Sequence, residues 1–139
     1  MNAPTLSQIN LAFQIMILVI LFVTLALWQK HKNFLHGLTM LIAVVLNIAS
    51  FLVIMLPSLL SMGIPQLSDV VSLVIFAHVT LGVTTMILGL WLVGSWHLQS
   101  SVQNCAAKKK VMRLTAVLWL VALLLGVLLY VYLYTSLIP

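Results

Sequence analysis

Acidic residues are almost absent from this chain of 139 residues, which has one Asp or Glu against six Lys and Arg. Charged residues make up 5% of the chain and hydrophobic residues 64%, whereas a soluble domain carries about 25% charged residues. The chain therefore cannot cover the surface of a soluble domain. A single cysteine excludes a disulfide scaffold. A single acid comes close to excluding general acid–base hydrolysis and an acidic calcium or magnesium site.

Long apolar stretches are what the chain does have. Four of them each supply the roughly 20 apolar residues that a membrane-crossing helix needs: Leu11–Trp28, Phe34–Leu60, Val70–Trp96 and Met112–Leu137. They predict an all-α integral membrane protein, an antiparallel four-helix bundle forming a single domain over residues 1–139. Ser, Gly and Pro between Pro57 and Ser68 indicate an exposed turn.

The basic residues predict the orientation of the bundle. All six lie in the first and third linkers or at their edges: Lys30, Lys32, Lys108, Lys109, Lys110 and Arg113. Both linkers lie on one side of a chain with four spans, and basic loops favour the cytoplasm. We therefore expect a multi-pass protein of a prokaryotic cytoplasmic membrane with both termini outside. Because the positive charge is an orientation signal, we expect no nucleic-acid partner.

Each span carries one face of small or polar residues at helical spacing. The four faces are Gln14, Leu21 and Thr24; His36, Met40, Ala43, Asn47 and Ser50; His78, Gly82, Thr85 and Gly89; and Thr115, Trp119, Ala122 and Gly126. Such faces bring helix backbones together in membranes. We interpret the first and fourth as packing faces, whereas the histidines of the second and third favour a function.

Two facing imidazoles at matched depth are what a six-coordinate haem b requires. Counted at about 1.5 Å per residue, His36 and His97 lie roughly 15 and 20 Å to the cytoplasmic side of the midplane. We expect these two histidines to be the pair of haem and metal ligands, with His31 as the candidate replacement for one of them. The alternative for His31 and His97 is that they contact lipid headgroups. A ligand pair of His36 with Met40 or Met55 is a further alternative.

His78 lies roughly 7 Å to the outer side of the midplane on the same count, so it cannot share a haem with His36. Either the chain has two sites or one histidine has another role. We expect a neutral His78, to which Asn47 or Ser50 could supply only one hydrogen bond. A ligand, a haem iron or a partner subunit is then expected in a groove bordered by Gly82 and Gly89.

Three segments resemble those of small four-helix membrane proteins of the CtaM/YozB type. His36-Gly37-Leu38-Thr39-Met40 is similar to their His-x-x-x-Met opening of span two. Phe76-Ala77-His78-Val79 resembles their Phe-His-Ile in span three, and Trp119, Gly126 and Leu129–Tyr134 resemble the end of their span four. The resemblance runs from about Lys30 to the C terminus.

The resemblance implies a place in a respiratory chain or in the maturation of haem A-containing terminal oxidases, with histidines as cofactor ligands. The family usually has a histidine at the start of span four, where this chain has Lys108. A cytoplasmic-side site would then need His97 or His31 as a substitute.

These observations together predict a cytochrome b-like protein of a respiratory chain. It would bind haem b for electron transfer or assist cytochrome oxidase maturation. A quinone is a further candidate cofactor, and the expected partners are subunits of a terminal oxidase or other respiratory complex. We expect no enzymatic activity of the chain alone. The alternatives are a non-catalytic accessory subunit of a larger membrane complex and a small proton-conducting or transport bundle that uses His78.

Overall fold

A computed structural model describes residues 3–62, 69–96 and 109–134. It contains helices α1 (Ala3–Gln29), α2 (Asn33–Ser50), α3 (Leu56–Met62), α4 (Val70–Trp96) and α5 (Lys109–Tyr134), with a π-helical segment over Phe51–Met55 between α2 and α3. Four stretches are long and apolar enough to cross a membrane: Thr5–Gln29, Phe34–Ser61, Val70–Ser95 and Lys109–Leu133. The predicted all-α four-helix fold of a multi-pass membrane protein is thus confirmed.

Two helical hairpins form the bundle. Helix α1 packs mainly against α2, and α4 mainly against α5, while lesser contacts of α2 with α4 and of α1 with α5 join the pairs. The short α1–α2 turn closes through His31, whose positive φ of 59° is a left-handed conformation. In this turn the backbone N–H of Lys32 donates to the Leu27 carbonyl at 2.9 Å.

The predicted small and polar faces line the interior. Their buried members are Thr24, Ala43, Asn47, Ser50, Thr85, Gly89, Thr115, Trp119 and Ala122. The hydroxyls of Thr85 and Thr115 donate to carbonyls four residues earlier on their own helices, which satisfies them without a partner helix. Large apolar side chains such as Val53, which is 70% exposed, cover the outside. An outer surface of this kind suits lipid rather than water.

The second span runs through Pro57, as its predicted range Phe34–Leu60 requires, because the chain is helical from Asn33 to Met62. Residues from Leu56 to Met62 are helical, so the turn predicted to start at Pro57 is wrong for this stretch. The Ser58 hydroxyl donates to the Ile54 carbonyl at 2.7 Å, which accommodates a polar residue within the helix. Pro57 has no N–H to donate to the carbonyl of Val53, four residues earlier. Val53 lies within the π-helical segment, which ends two residues before Pro57, so the irregular segment coincides with the missing hydrogen bond.

The first helix begins eight residues before its predicted start. Its added turns carry Asn10, whose side-chain oxygen accepts a hydrogen bond from the Ser50 hydroxyl of α2. Gln14 of α1 donates to the same hydroxyl at 3.3 Å. These polar residues are therefore satisfied inside the bundle, which lets α1 continue through a stretch less apolar than the rest. Helix α5 likewise begins three residues early, at Lys109.

The basic residues that the structure describes gather at one end of the bundle, hereafter the basic end. They are Lys30, Lys32, Lys109, Lys110 and Arg113, and the Lys109 ammonium lies 5.4 Å from the centre of the Trp28 ring. At the other end, Asp69 precedes α4 and accepts the backbone N–H of Ser72 at 2.7 Å. That hydrogen bond lowers the pKa of the Asp69 carboxyl.

Candidate functional site

Two cavities lined by described residues each have one histidine in their walls. The basic-end cavity has a volume of about 490 Å³, and its walls include His36, Met40, Lys109, Met112 and Arg113. The His78 cavity, of about 200 Å³, includes Asn47 and His78. Trp119, which is only 4% exposed, lines both cavities and forms the wall between them. His36 and His78 thus lie in different cavities, as their predicted depths require.

His36 is fixed by α1. Its Nδ1 lies 2.8 Å from the backbone carbonyl oxygen of Thr24, and since a carbonyl can only accept, Nδ1 carries the proton. The Thr24 hydroxyl donates in return to the His36 carbonyl at 2.9 Å. No hydrogen bond engages His36 Nε2 within the described part of the chain. In the neutral imidazole the lone pair is then on Nε2, and His36 lines the basic-end cavity.

Thr24 is a site residue that the sequence assigned only to packing. It is 4% exposed and also accepts a hydrogen bond from the Thr39 hydroxyl at 2.6 Å. Thr24 therefore ties the first turns of α2 to α1 and sets the orientation of His36. The sequence feature that could have identified Thr24 is its position on the inward face of span one, at the same depth as His36.

His78 has the same arrangement with a different helix. Its Nδ1 lies 2.8 Å from the carbonyl oxygen of Ala122 in α5, so Nδ1 again carries the proton. The expected partners, Asn47 and Ser50 of α2, do not supply this bond. Ser50 instead donates to Asn10 of α1. His78 is therefore held by the backbone of α5, and its Nε2 has no hydrogen-bond partner among the described residues.

Gly126 makes room for the His78 ring. A Cβ atom at this position would lie 2.8 Å from His78 Cε1, closer than carbon atoms can approach. The imidazole thus lies against the bare backbone of α5, one helical turn beyond the carbonyl that binds it. Gly126 belongs to the face that the sequence assigned to packing alone, and its contact with His78 extends that role.

The two glycines expected to border a groove differ in their surroundings. A Cβ added to Gly82 would meet no atom within 4 Å, and Gly82 lines the His78 cavity. Gly89 lies outside that wall and packs against α2, since a Cβ there would lie 3.1 Å from a Val44 methyl carbon. Gly82 therefore leaves space in the cavity, whereas Gly89 brings α2 and α4 together.

His31 belongs to neither cavity wall. His31 is exposed in the α1–α2 turn. His97 lies outside the described residues, as do Lys108 and Cys105, so the expected pairing of His36 with His97 stays a prediction. In the described ranges, no three His, Cys, Asp or Glu side chains gather as a metal-binding group.

Comparisons of the chain with models of protein families, with curated proteins and with solved structures gave no significant match. The resemblance to CtaM/YozB proteins therefore stays a prediction from short motifs. The functional conclusion depends on the two cavities and on the histidine in each.

Proposed function

We propose that the protein is a cytochrome b-like component of a respiratory chain and binds haem b in the basic-end cavity, with His36 as an axial ligand. The observation that carries this proposal is the state of the His36 imidazole. Its Nδ1–H donates to the Thr24 carbonyl, and its Nε2 is left for the cavity. Metal-binding histidines are typically oriented in this way by a second hydrogen bond.

The size and lining of the cavity support a flat, mainly apolar cofactor. Its volume of about 490 Å³ lies within the roughly 300–1,000 Å³ of small-molecule sites. Apolar side chains dominate the wall, which includes Trp28, Leu92 and Trp119. Lys109 and Arg113 belong to the same wall at the basic end, where they would pair with the two propionate groups of a haem. Bound haem supplies reversible one-electron chemistry at its iron.

A second axial ligand is available among the described residues. Met40 and Met112 both line the cavity, and a thioether paired with histidine is an established form of haem ligation. Met40 lies one helical turn from His36 on α2, whereas Met112 belongs to α5. His97 is the alternative ligand from the sequence. Replacing Met40 and Met112 singly by Ala distinguishes these candidates by the change from low-spin to high-spin haem absorption.

We further propose that the basic end faces the cytoplasm of a prokaryotic cell, with both termini outside, because the described cations gather there. The protein would then hold its haem toward the cytoplasmic side of the membrane. Subunits of a terminal oxidase or another respiratory complex would pack on its apolar outer surface. Transfer of electrons to such a subunit, or help in its maturation, is the proposed use of the site.

Haem content of the purified protein tests the proposal. The protein, produced in haem-supplemented cells and purified in mild detergent, should show a Soret band and a haem b pyridine haemochrome spectrum. His36→Ala should lose the haem, whereas His31→Ala, a matched change in the exposed turn, should keep it. A haem-free wild-type protein would contradict the proposal and favour an accessory subunit. Equal haem content in wild type and His36→Ala would exclude His36 as a ligand.

A further inference from the structure

The His78 cavity is lined by two residues that each carry a polar group without a partner among the described residues. His78 Nε2 and the side-chain amide of Asn47 form no hydrogen bond in the described part of the chain. No fully buried side-chain nitrogen or oxygen there lacks a partner, so both atoms keep some exposed surface, and both residues line the cavity. Asn47 is nevertheless only 9% exposed. Polar groups that are largely shielded from water and lack partners are unfavourable, and a ligand that bonds both groups would remove that cost.

The cavity has the size of one substituted ring. An apolar cavity of roughly 150 Å³ holds a benzene molecule, and this one has about 200 Å³. It is too small for a haem and is separated from the basic-end cavity by Trp119. Leu133 belongs both to its wall and to the exposed outer surface. An apolar tail on the ring can therefore extend from the cavity along the lipid-facing side of the bundle.

We propose that the His78 cavity binds the headgroup of a quinol, with one hydroxyl donating to His78 Nε2 and the opposite oxygen bonded to the Asn47 amide. A quinol combines the required features, because it is a single ring with polar atoms at its two ends and an apolar tail. Gly82 leaves the space that a ring needs beside α4. Binding does not depend on the haem proposed for the other cavity, although an electron-transfer role would give a quinol its use.

The hydrogen bond to Ala122 makes the site selective for the reduced form. In the neutral imidazole, whose single proton lies on Nδ1 toward the Ala122 carbonyl, Nε2 can only accept a hydrogen bond. A quinol offers a hydroxyl donor to it, whereas a quinone has only carbonyl oxygens, which also accept. The Asn47 amide can donate to either form. We therefore expect the quinol to bind about tenfold more tightly than the matching quinone, the effect of one satisfied hydrogen bond to a buried group.

Calorimetric titration of the full-length, haem-free protein in detergent tests the inference. The probes are a decyl-substituted benzoquinol, kept reduced under anaerobic conditions, and its quinone. The wild-type protein and His31→Ala should prefer the quinol about tenfold. His78→Met should abolish the preference, and Asn47→Leu should weaken both forms. Equal affinity of the wild-type protein for both redox forms, or a preference that survives in His78→Met, would overturn the proposal.

A second probe pair needs no variant and no redox control. A 4-alkylphenol has the hydroxyl that His78 Nε2 requires, whereas the corresponding 4-alkylanisole carries a methyl group in place of that hydrogen. The phenol should bind at least tenfold more tightly and should compete with the quinol. Equal binding of the two would show that Nε2 accepts no hydrogen bond from the ring. Since haem is absent from these titrations, their failure would leave the haem proposal intact, and loss of the Soret band would leave the quinol proposal intact.

Discussion

Gly126→Ala, compared with Gly82→Ala, tests the placement of His78 against α5. Both changes add one methyl group to a helical glycine, so both gain up to about 1 kcal/mol of helix propensity. They differ in what the methyl group meets. At Gly82 no atom lies within 4 Å, whereas at Gly126 the His78 ring lies 2.8 Å away.

The His78 ring must shift to avoid the new methyl group, and a shift strains its hydrogen bond to the Ala122 carbonyl. Its Nδ1 lies 2.8 Å from that carbonyl in the native arrangement. Overpacking and the loss of such a bond together cost about 1–3 kcal/mol. Because the propensity gain is common to both variants, their difference in unfolding free energy isolates this cost. We expect Gly82→Ala to be more stable than Gly126→Ala by about 1–3 kcal/mol.

Steric trapping or titration with a denaturing detergent in bicelles measures these unfolding free energies directly. Quinol binding gives a second measure, since Gly126→Ala should lose the preference for the reduced ring. Stabilities within about 0.5 kcal/mol of each other, which is the usual spread of neutral substitutions, would refute the close approach of His78 to α5.

Three further predictions concern other contacts. Thr24→Val should lower haem affinity and destabilise the bundle by about 1 kcal/mol. The exposed hydroxyl of Thr84 bonds only its own helix, so Thr84→Val should change neither quantity. Equal effects of the two substitutions would exclude the role of Thr24 in positioning His36. The pKa of the Asp69 carboxyl, which caps α4, is lowered in the folded protein. The cap therefore stabilises α4 fully above the ordinary carboxyl pKa of about 4, and this stabilisation is lost as the pH falls through the lowered pKa. Amide exchange at Ser72, corrected for its intrinsic rate, should accelerate on acidification in the wild type and not in Asp69→Asn, and a pH-independent wild type would contradict the cap. In a Cys105→Ser background, a membrane-impermeant thiol reagent should label Asp69→Cys in intact cells and Lys32→Cys only after lysis; the reverse pattern would invert the proposed orientation.

The fold was largely predictable because lipid imposes simple requirements. Apolar length located all four spans, and small or polar residues at helical spacing identified inward faces that include Asn47, Thr85 and Trp119. The start of α1 was missed because Asn10 looks unfavourable in a span until Ser50 is placed opposite it. After Pro57 the sequence supported both a span to Leu60 and a turn, and the structure follows the hydrophobic pattern rather than the turn composition, with helix to Met62.

The candidate site was predictable in its histidines and not in their partners. Both Nδ1 atoms bond backbone carbonyls, of Thr24 and Ala122. Any residue type supplies a carbonyl, so no sequence pattern identifies such an acceptor. The fit of Gly126 to the His78 ring likewise depends on the relative rotation and depth of α4 and α5, which a periodic pattern leaves free.

Rescue of haem binding by free imidazole tests most directly whether the His36 side chain is the axial ligand. In His36→Gly the Soret band should disappear, because the imidazole that lines the basic-end cavity is lost. Imidazole at millimolar concentration should occupy the vacated space and restore the band, while it should leave the spectrum of His31→Gly unchanged. Full haem binding by His36→Gly without imidazole would contradict the proposed ligand.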